Sequence, residues 1–292
     1  MSETGFIVVI EPTTPFFKCL FNVKKVYAVE RSEFQEVALL ELEGFGKALV
    51  IDKLVQSTET DEYLYHESLV HPAMILHPEP KRVLIIGGGE GAALREVLKH
   101  NTVEKAVMVD IDKVVVEFSK KYLDFIHKGS FNDPRAETVI MDGFKYIKNV
   151  ENSSFDVVIM DLTDPYASEI AKPVYSLESM KEIYRILSSE GVLATQAGNS
   201  FFYNKSYNYV LRNVKEVFKY TAEYWVWIPS FGYACNFIIG SKVYNPLDIE
   251  PEVFNTRLRT RGVETRFING ERYFGLIKLR IVMGDLENRD KN

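Results

Sequence analysis

A short apolar strand that runs directly into three glycines, with an acid inside the turn, constrains this chain most. Residues 82–91 read Arg-Val-Leu-Ile-Ile-Gly-Gly-Gly-Glu-Gly. A strand that enters a glycine-rich turn before a helix is how doubly wound α/β proteins bring backbone close to a nucleoside-containing ligand. The spacing is not G-x-G-x-x-G, so the dinucleotide fingerprint is not met. Because Glu90 would repel a pyrophosphate or carboxylate and attract an ammonium, we predict a nucleoside ligand that carries a cation.

Strands and helices alternate regularly after Lys81. The predicted strands are Val83–Ile86, Lys105–Val109, Glu137–Ile140, Phe155–Met160 and Gly191–Thr195, and the helices between them begin near Glu90, Asp112, Gly143 and Ser176. This alternation with short connections predicts a parallel sheet covered on both faces. Runs at 224–228 and 236–240 predict a terminal antiparallel pair, and a helix near 251–261 is expected to pack back on the sheet.

The first 60 residues are dominated by strand patterns instead. Runs at 24–30, 34–42 and 47–52 are rich in β-forming residues, and Gly44 and Gly46 mark a hairpin between the last two. A helical pattern begins at Glu62. We therefore predict a small N-terminal β domain, residues 1–60, followed by an open α/β domain, residues 61–292. Ligands of such sheets bind beyond the carboxyl ends of the strands.

Composition excludes several classes of protein. The net charge of −6 argues against a nucleic-acid partner and suits a cationic small substrate. Cys19 and Cys235 are the two cysteines, which fits a reducing compartment rather than a disulfide framework. The five histidines lack zinc spacing, so we expect no metal site. No run approaches the roughly 18 apolar residues that span a bilayer, so we expect a cytoplasmic protein without membrane contact.

Acids follow the ends of the second and third predicted strands. Asp110 lies about 20 residues past the glycine turn, where it could accept hydrogen bonds from both ribose hydroxyls. Asp112 is expected to cap the next helix. Asp142, followed by Gly143, could accept from an adenine amino group. Acids are common after strands, but acids in register after three successive strands favour a nucleoside site.

Two more carboxylates, Asp161 and Asp164, follow the fourth strand, which is apolar apart from Asp156. One interpretation is a turn with capping acids, because Asp-Pro favours turns. The other is a carboxylate pair that holds an amine and accepts its proton. An alkyl ammonium with a pKa of about 10 is not a nucleophile until it loses a proton, so such a site needs a general base.

The segment between residues 54 and 67 joins the two predicted domains and is dense in acids and tyrosines. Tyr65 and His66 could line a cation site, because aromatic ring faces attract ammonium. Tyr63 is explained by simple packing, and a histidine on a helix is more often structural than catalytic, so this segment alone is weak evidence.

Taken together, these motifs resemble the polyamine aminopropyltransferases, the spermidine synthase family, over nearly the whole chain. The motifs that carry the resemblance, in order, are Gln56-Ser-Thr-Glu-Thr-Asp-Glu62, Tyr65-His66-Glu67, Gly87–Gly91, Asp110, Asp142-Gly143, Asp161-x-x-Asp164-Pro165 and Thr195-Gln-Ala-Gly198. Each is weak alone, and the set is highly specific.

The resemblance implies a Rossmann-like, methyltransferase-type open sheet. It also implies transfer of an aminopropyl group from decarboxylated S-adenosylmethionine to an amine by one in-line displacement, with methylthioadenosine leaving. No resident cofactor is implied, and the assembly would be a homodimer or homotetramer.

Site roles are carried over motif by motif. Asp161 would be the proton acceptor. The donor would contact Gln35, Gly87, Gly88, Gly89, Asp110, Asp142 and Gly143. The amino groups of donor and acceptor would contact Tyr65, His66, Glu90, Asp161, Asp164 and Tyr233. The loop 166–173 would close over the site and exclude water.

Four departures from the putrescine-using members leave the acceptor open among putrescine, agmatine and spermidine. Glu90 stands where those members have Asp, and His66 where they have Gln. Leu162-Thr163 replaces a Ser-Ser pair, and Phe231 replaces a Tyr, with Tyr233 nearby as a substitute. The first three resemble thermospermine-synthase-like and agmatine-using enzymes.

Two alternatives use the same fold. An S-adenosylmethionine methyltransferase is disfavoured because Glu90 would repel the donor carboxylate and because methyl transfer does not call for the acid pair. A non-catalytic polyamine or nucleoside sensor is disfavoured because the candidate base Asp161 is present.

Overall fold

A computed structural model describes residues 7–164 and 172–284, and its first sheet is small and antiparallel. Its strands run in sequence order: β1 (Ile7–Glu11), β2 (Cys19–Arg31), β3 (Glu36–Leu42), β4 (Gly46–Ile51) and β5 (Leu54–Thr58). The hairpin predicted at Gly44 and Gly46 joins β3 to β4, and both glycines have positive φ. The long helix α1 (Glu62–Leu76) then leads to the second sheet.

The second sheet is mixed, and its strand order is β11-β12-β10-β9-β6-β7-β8. Its strands are β6 (Arg82–Gly87), β7 (Lys105–Asp110), β8 (Ala136–Ile140), β9 (Phe155–Asp161), β10 (Leu187–Gln196), β11 (Tyr220–Ile228) and β12 (Tyr233–Ser241). The strands β10, β9, β6, β7 and β8 are parallel, and β12 and β11 add an antiparallel pair at one edge. The predicted fold, an open Rossmann-like sheet after an N-terminal β sheet, is confirmed.

Helices cover both faces of this sheet. They are α2 (Ala92–Leu98), α3 (Lys113–Tyr122), α4 (Asp124–His127), α5 (Gly143–Asn149), α6 (Leu177–Ile186), α7 (Asn204–Val217), α8 (Pro251–Thr260) and α9 (Gly270–Lys278). Val83 and Ile85 of β6 pack into one core, and Leu84 and Ile86 into another on the opposite face. A strand buried on both faces needs a continuous apolar run, which explains the sequence of β6.

The C-terminal helices differ in one respect from expectation. The helix predicted near 251–261 is α8, and its Phe254 stacks on Tyr273 of α9. Tyr273 in turn contacts Tyr224 of β11, so α8 reaches the sheet largely through α9. The sequence pattern does not indicate α7 or α9.

A third core joins the two sheets and fixes their relative position. Val37 and Leu39 of β3 pack with Ala92 of α2 and with Val115 and Phe118 of α3. The N-terminal sheet therefore lies against the helices that follow β6 and β7, where ligands of α/β sheets bind. Within residues 7–164 and 172–284, no helix combines the length and apolarity needed to cross a bilayer.

Candidate active site

A cavity of about 550 Å³ lies between the carboxyl ends of the central strands and the N-terminal sheet. All thirteen side chains or glycines predicted for the site line it: Gln35, Tyr65, His66, Gly87, Gly88, Gly89, Glu90, Asp110, Asp142, Gly143, Asp161, Asp164 and Tyr233. Residues as distant in sequence as Gln35 and Tyr233 are thereby brought to one cavity. Their individual roles remain predictions.

The glycine turn is in close contact with the end of β9. Gly87 and Gly88 have φ of +83° and +71°, values that favour glycine. A Cβ on Gly87 would lie 2.2 Å from the carbonyl oxygen of Asp161. The N–H of Gly88 donates to that same oxygen at 2.8 Å. The turn therefore needs glycine here both for its backbone conformation and for its approach to Asp161.

Asp110 connects the glycine turn to the end of β7. Its Oδ2 accepts from the N–H of Gly89 at 3.0 Å, and its Oδ1 accepts from the N–H of Asp112 at 2.8 Å. Burial raises the pKa of Asp110 to about 6. A carboxylate held by two backbone donors has a fixed orientation, as a ribose-binding group requires.

Helix caps account for two further acids. Asp112 caps α3 as predicted, because its Oδ1 accepts from the N–H of Val114 at 2.9 Å. Its Oδ2 accepts from the Gln35 side chain at 3.0 Å and from the Ser32 hydroxyl at 2.6 Å. These contacts fasten the N-terminal sheet to the cavity rim. Asp142 caps α5 in the same way, so it has a structural role whatever it binds.

Asp161 lies at the centre of the cavity wall. Its Oδ1 accepts from the Tyr65 hydroxyl at 2.9 Å. Burial raises the pKa of Asp161 to about 6, although the nearby charge of His66 opposes that rise. A carboxylate with a pKa near 6 is ionised at neutral pH and still basic enough to take a proton in catalysis.

His66 is buried between two carboxylates. Its Nε2 lies 2.7 Å from Oε1 of Glu90, and its Nδ1 lies 3.0 Å from Oε2 of Glu62. Burial opposes a charge on this ring, yet the two carboxylates raise the pKa of His66 well above its usual value. A cationic ring repels an ammonium, so this arrangement does not favour a cation–π contact between His66 and an amine, and the amine-binding role of His66 remains a prediction.

Glu90 presents an unpaired oxygen within this arrangement. Its Oε1 accepts from His66 and from the Ser57 hydroxyl, the latter at 2.7 Å. Its Oε2 is buried without a hydrogen-bond partner among the described residues. A buried carboxylate oxygen without a donor is costly, so a ligand ammonium is a fitting partner for it.

Glu11 of β1 is a cavity carboxylate that the sequence did not reveal. It is 3% exposed and lines the cavity together with Asp164. Its Oε2 accepts from the N–H of Val55 at 2.9 Å, and burial raises the pKa of Glu11 to about 7. Nothing in the local pattern distinguishes this acid from an ordinary surface residue at the end of a strand.

The remaining predicted groups lie at the same end of the cavity. The hydroxyl of Tyr233 is 3.5 Å from Oδ2 of Asp164, and the rings of Phe231 and Tyr233 lie 5.6 Å apart. The predicted lid, 166–173, lies outside the described residues except for Lys172 and Pro173. Among the side chains of residues 7–164 and 172–284, no group of three or more His, Cys, Asp or Glu is arranged to hold a metal ion.

Comparison with known proteins decides the family. The Spermine/spermidine synthase domain matches residues 62–249, and the Spermidine synthase tetramerisation domain matches residues 7–59. This chain belongs to the spermidine synthase family. The recognition made from the sequence motifs is therefore confirmed.

Relatives and solved structures agree with this assignment. A polyamine aminopropyltransferase of Pyrobaculum neutrophilum is 52% identical over 96% of this chain and 98% of its own. Polyamine aminopropyltransferase 1 of Hyperthermus butylicus is 53% identical over 89% and 90%. The spermidine synthase structure from Thermotoga maritima has a TM-score of 0.87 and 32% identity, and covers 94% of this chain and 91% of its own. The predicted class of enzyme, an aminopropyl-transferring member of polyamine biosynthesis, is confirmed.

One of the similar solved structures contains a ligand. A spermidine synthase in complex with the transition state analogue AdoDATO has a TM-score of 0.88 and 32% identity, and covers 94% of this chain and 92% of its own. The similarity extends over most of both chains.

Proposed function

We propose that this protein moves the aminopropyl group of decarboxylated S-adenosylmethionine to an amine of putrescine, agmatine or spermidine, and releases methylthioadenosine. The observation that carries the proposal is the position of Asp161. This half-buried residue contacts the glycine turn through its backbone, and its side chain accepts from Tyr65 in a cavity lined with acids. A base between a nucleoside-type turn and an amine-type wall suits this reaction.

The donor would lie along the glycine turn. Asp110 would accept from the ribose hydroxyls, and Asp142 with Gly143 would contact the adenine. Gln35 would contact the donor from the N-terminal sheet. The sulfonium is already an activated leaving group, so the displacement calls for no resident cofactor.

The acceptor would enter as an ammonium along Asp164 and Tyr233. Asp161 would take one proton from the reacting nitrogen, which frees its electron pair. That pair would form the new C–N bond to the carbon next to the sulfonium, and the C–S bond would break with its electrons passing to sulfur. Neutral methylthioadenosine would leave, and the proton would pass from Asp161 to solvent.

Glu90 would select the donor. The decarboxylated donor ends in an ammonium, whereas S-adenosylmethionine also carries a carboxylate, which Glu90 would repel. In Glu90→Ala the charge of His66 would face the donor directly and attract a carboxylate. We expect this variant to lose its preference for the decarboxylated donor. Full preference, measured as the ratio of the two donor dissociation constants, would refute the assignment.

The deciding experiment is an assay of the purified protein with decarboxylated S-adenosylmethionine and a panel of amines. The panel contains putrescine, agmatine, cadaverine, norspermidine and spermidine, and products are followed by mass spectrometry. An aminopropyl adduct on one amine would establish both reaction and acceptor. Donor binding without any adduct would favour the sensor, and a methylated product from S-adenosylmethionine would favour the methyltransferase.

The same proposal extends to assembly and location. We propose a homodimer or homotetramer joined through the N-terminal sheet. Exposed apolar side chains on β1 and β2 support this: Ile7, Ile10, Leu20, Val26 and Val29. Phe21 of β2 is not available for such an interface, because its side chain is buried against Phe45. The unpaired Cys19 and Cys235 suit a reducing cytoplasm. Light scattering of the purified protein would test the assembly, and a monomer would contradict it.

A further inference from the structure

A chain of buried charges leads from the cavity into the protein interior. Beyond Glu90 and His66 it continues through Glu62 to Arg95, whose Nη2 lies 2.8 Å from Oε2 of Glu62 and 2.7 Å from Oε1 of Glu96. His66, Glu62 and Arg95 are all at most 7% exposed. Glu62 and Arg95 do not line the cavity, so they cannot contact a substrate there.

The hydrogen bonds of His66 indicate which of its ring nitrogens carry hydrogen, without reference to its pKa. Nδ1 lies 2.8 Å from the backbone carbonyl oxygen of Glu62 and 3.0 Å from its carboxylate, and a carbonyl can only accept. Nδ1 must therefore carry hydrogen. Nε2 faces Oε1 of Glu90, which already accepts from Ser57. With Glu90 ionised, both ring nitrogens face acceptors, so each carries a hydrogen and the ring is an imidazolium.

We infer that Glu62, anchored by Arg95, holds His66 as an imidazolium, and that this internal cation positions Glu90 and keeps Asp161 ionised as the proton acceptor. Glu62 and Arg95 are thus positioning residues for a reaction that they do not touch. The inference rests on the proposed function of Asp161. It also explains two departures from the putrescine-using members, because Glu90 and His66 are in direct contact.

Charged groups on several neighbouring elements affect the protonation of His66 and Asp161. His66 interacts with Glu62 on its own helix, with Glu90 after β6 and with Asp161 at the end of β9. Arg95 of α2 donates to the same Glu62 oxygen that His66 contacts, so its positive charge opposes that of the ring. Asp161 accepts a hydrogen bond from Tyr65 and interacts electrostatically with His66, Glu90, Asp110, Tyr175 and Cys235. His66 is the cation in this set, so its charge opposes the combined effect of burial and the neighbouring acids.

The direction of the expected change follows. Replacing Glu62 with Gln removes one of the two carboxylates that stabilise the imidazolium, so the pKa of His66 falls. With less positive charge nearby, the pKa of Asp161 rises above its value of about 6. The acid limb of the kcat/KM profile, which reports the free enzyme, therefore moves to higher pH. The acceptor amine titrates in the same way with every variant, so its titration does not contribute to the difference between their pH profiles.

Glu67 supplies a matched control on the same helix. It is also fully buried, but its carboxylate accepts from the backbone N–H groups of Arg266, Phe267 and Ile268. Glu67→Gln weakens a structural contact of similar burial but leaves in place the carboxylates that interact with His66, which are Glu62, Glu90 and Asp161. We expect Glu67→Gln to lower stability and leave the pH profile in place, whereas Glu62→Gln shifts it. Profiles that coincide for wild type and Glu62→Gln, or that shift equally in both variants, would overturn the inference.

A second measurement needs no variant to fold and no turnover. In protein labelled at the histidine ring, nitrogen and carbon chemical shifts report the charge of each imidazole, and the two carboxylates at its nitrogens give His66 a distinct pair of signals. We expect wild-type His66 to remain doubly protonated well above the ordinary histidine pKa of about 6.5. A neutral His66 at neutral pH would overturn the inference. A charged His66 in a protein without aminopropyl transfer would instead count against the proposed function alone.

Discussion

The two ends of the cavity are held in place in different ways. At the donor end, backbone N–H groups orient the acid: Gly89 and Asp112 both donate to Asp110. At the amine end, side chains from distant elements orient the acids. Tyr65 reaches Asp161 across 96 positions, and His66 reaches Glu90 from another element. The orientation of Asp110, at the end proposed for the donor, is therefore set by backbone hydrogen bonds. The orientation of Asp161 and Glu90, at the end proposed for the amines, is set by side chains that tertiary packing brings together.

This difference suggests where family members can vary. A turn that requires positive φ and close backbone approach admits few substitutions without losing the donor site. Side-chain pairs can be exchanged together if both partners change. Three of the four departures from the putrescine-using members, at His66, Glu90 and Phe231, lie at the proposed amine end, whereas Leu162 of the fourth lies against the glycine turn.

The largest effect is expected for Asp161→Asn. The amide keeps the hydrogen bond from Tyr65 but cannot accept a proton, so kcat should fall by about 10²- to 10⁴-fold. Donor binding, measured by calorimetry, should change little. The control is Asp156→Asn at the opposite end of β9, where the carboxylate accepts from the backbone of Lys81 and Arg82. Unchanged turnover in Asp161→Asn would refute its role as the base.

The pairing at the amine end is tested by His66→Gln, Glu90→Asp and the double variant. Breaking a buried ion pair costs about 3–5 kcal/mol, because one charge is left uncompensated. The double variant places a neutral amide opposite a shorter carboxylate, so we expect it to recover part of both losses. The coupling should reach about 0.5–3 kcal/mol in urea unfolding and in kcat/KM. Strict additivity would mean that the two positions act independently.

The backbone character of the donor end is tested by Gly87→Ala. Positive φ alone costs about 1–3 kcal/mol for a non-glycine residue. Gly129→Ala measures that strain by itself, since Gly129 has φ +85° and a Cβ placed there would meet no neighbouring atom within 4 Å. We expect Gly87→Ala to lose more stability than Gly129→Ala in urea unfolding, and to lose donor binding as well. Equal losses would show that the close approach to Asp161 is unimportant.

The smallest effect is expected for Gln35→Ala at the cavity rim. The substitution removes one hydrogen bond to Asp112, while Ser32 still holds the same oxygen. A hydrogen bond contributes about 0.5–1.5 kcal/mol, so the KM for the donor should rise by up to about tenfold with kcat unchanged. A fall in kcat with an unchanged KM would mean that Gln35 acts on the reaction step instead.

The features that the sequence predicts are those set by local patterns, and the features it misses depend on tertiary packing. The strand-turn pattern of β6 and the acids after β7, β8 and β9 predicted the sheet edge, because periodicity and glycine placement are local properties. Glu11 and Glu62 were not recognised as part of the cavity or of its support. Their importance comes from which element packs beside them, and hydrophobic periodicity does not encode that.

His66 shows the limit at a residue that was recognised. Its presence at the amine end was predicted, but its charge was not. An aromatic ring near a cation site suggests a neutral ring face, whereas two carboxylates at its nitrogens produce a cation. The sequence motif predicted where His66 lies, whereas its charge depends on the carboxylates that surround it in the folded protein.

The buried charges behind Glu90 also have a thermal consequence. Hydration of charged groups becomes less favourable as temperature rises, so the penalty for burying Glu62, Arg95 and Glu96 shrinks on heating. Hydrophobic stabilisation per unit area, by contrast, levels off. The burial of these charges behind Glu90 is therefore less costly in hot water than in cold water.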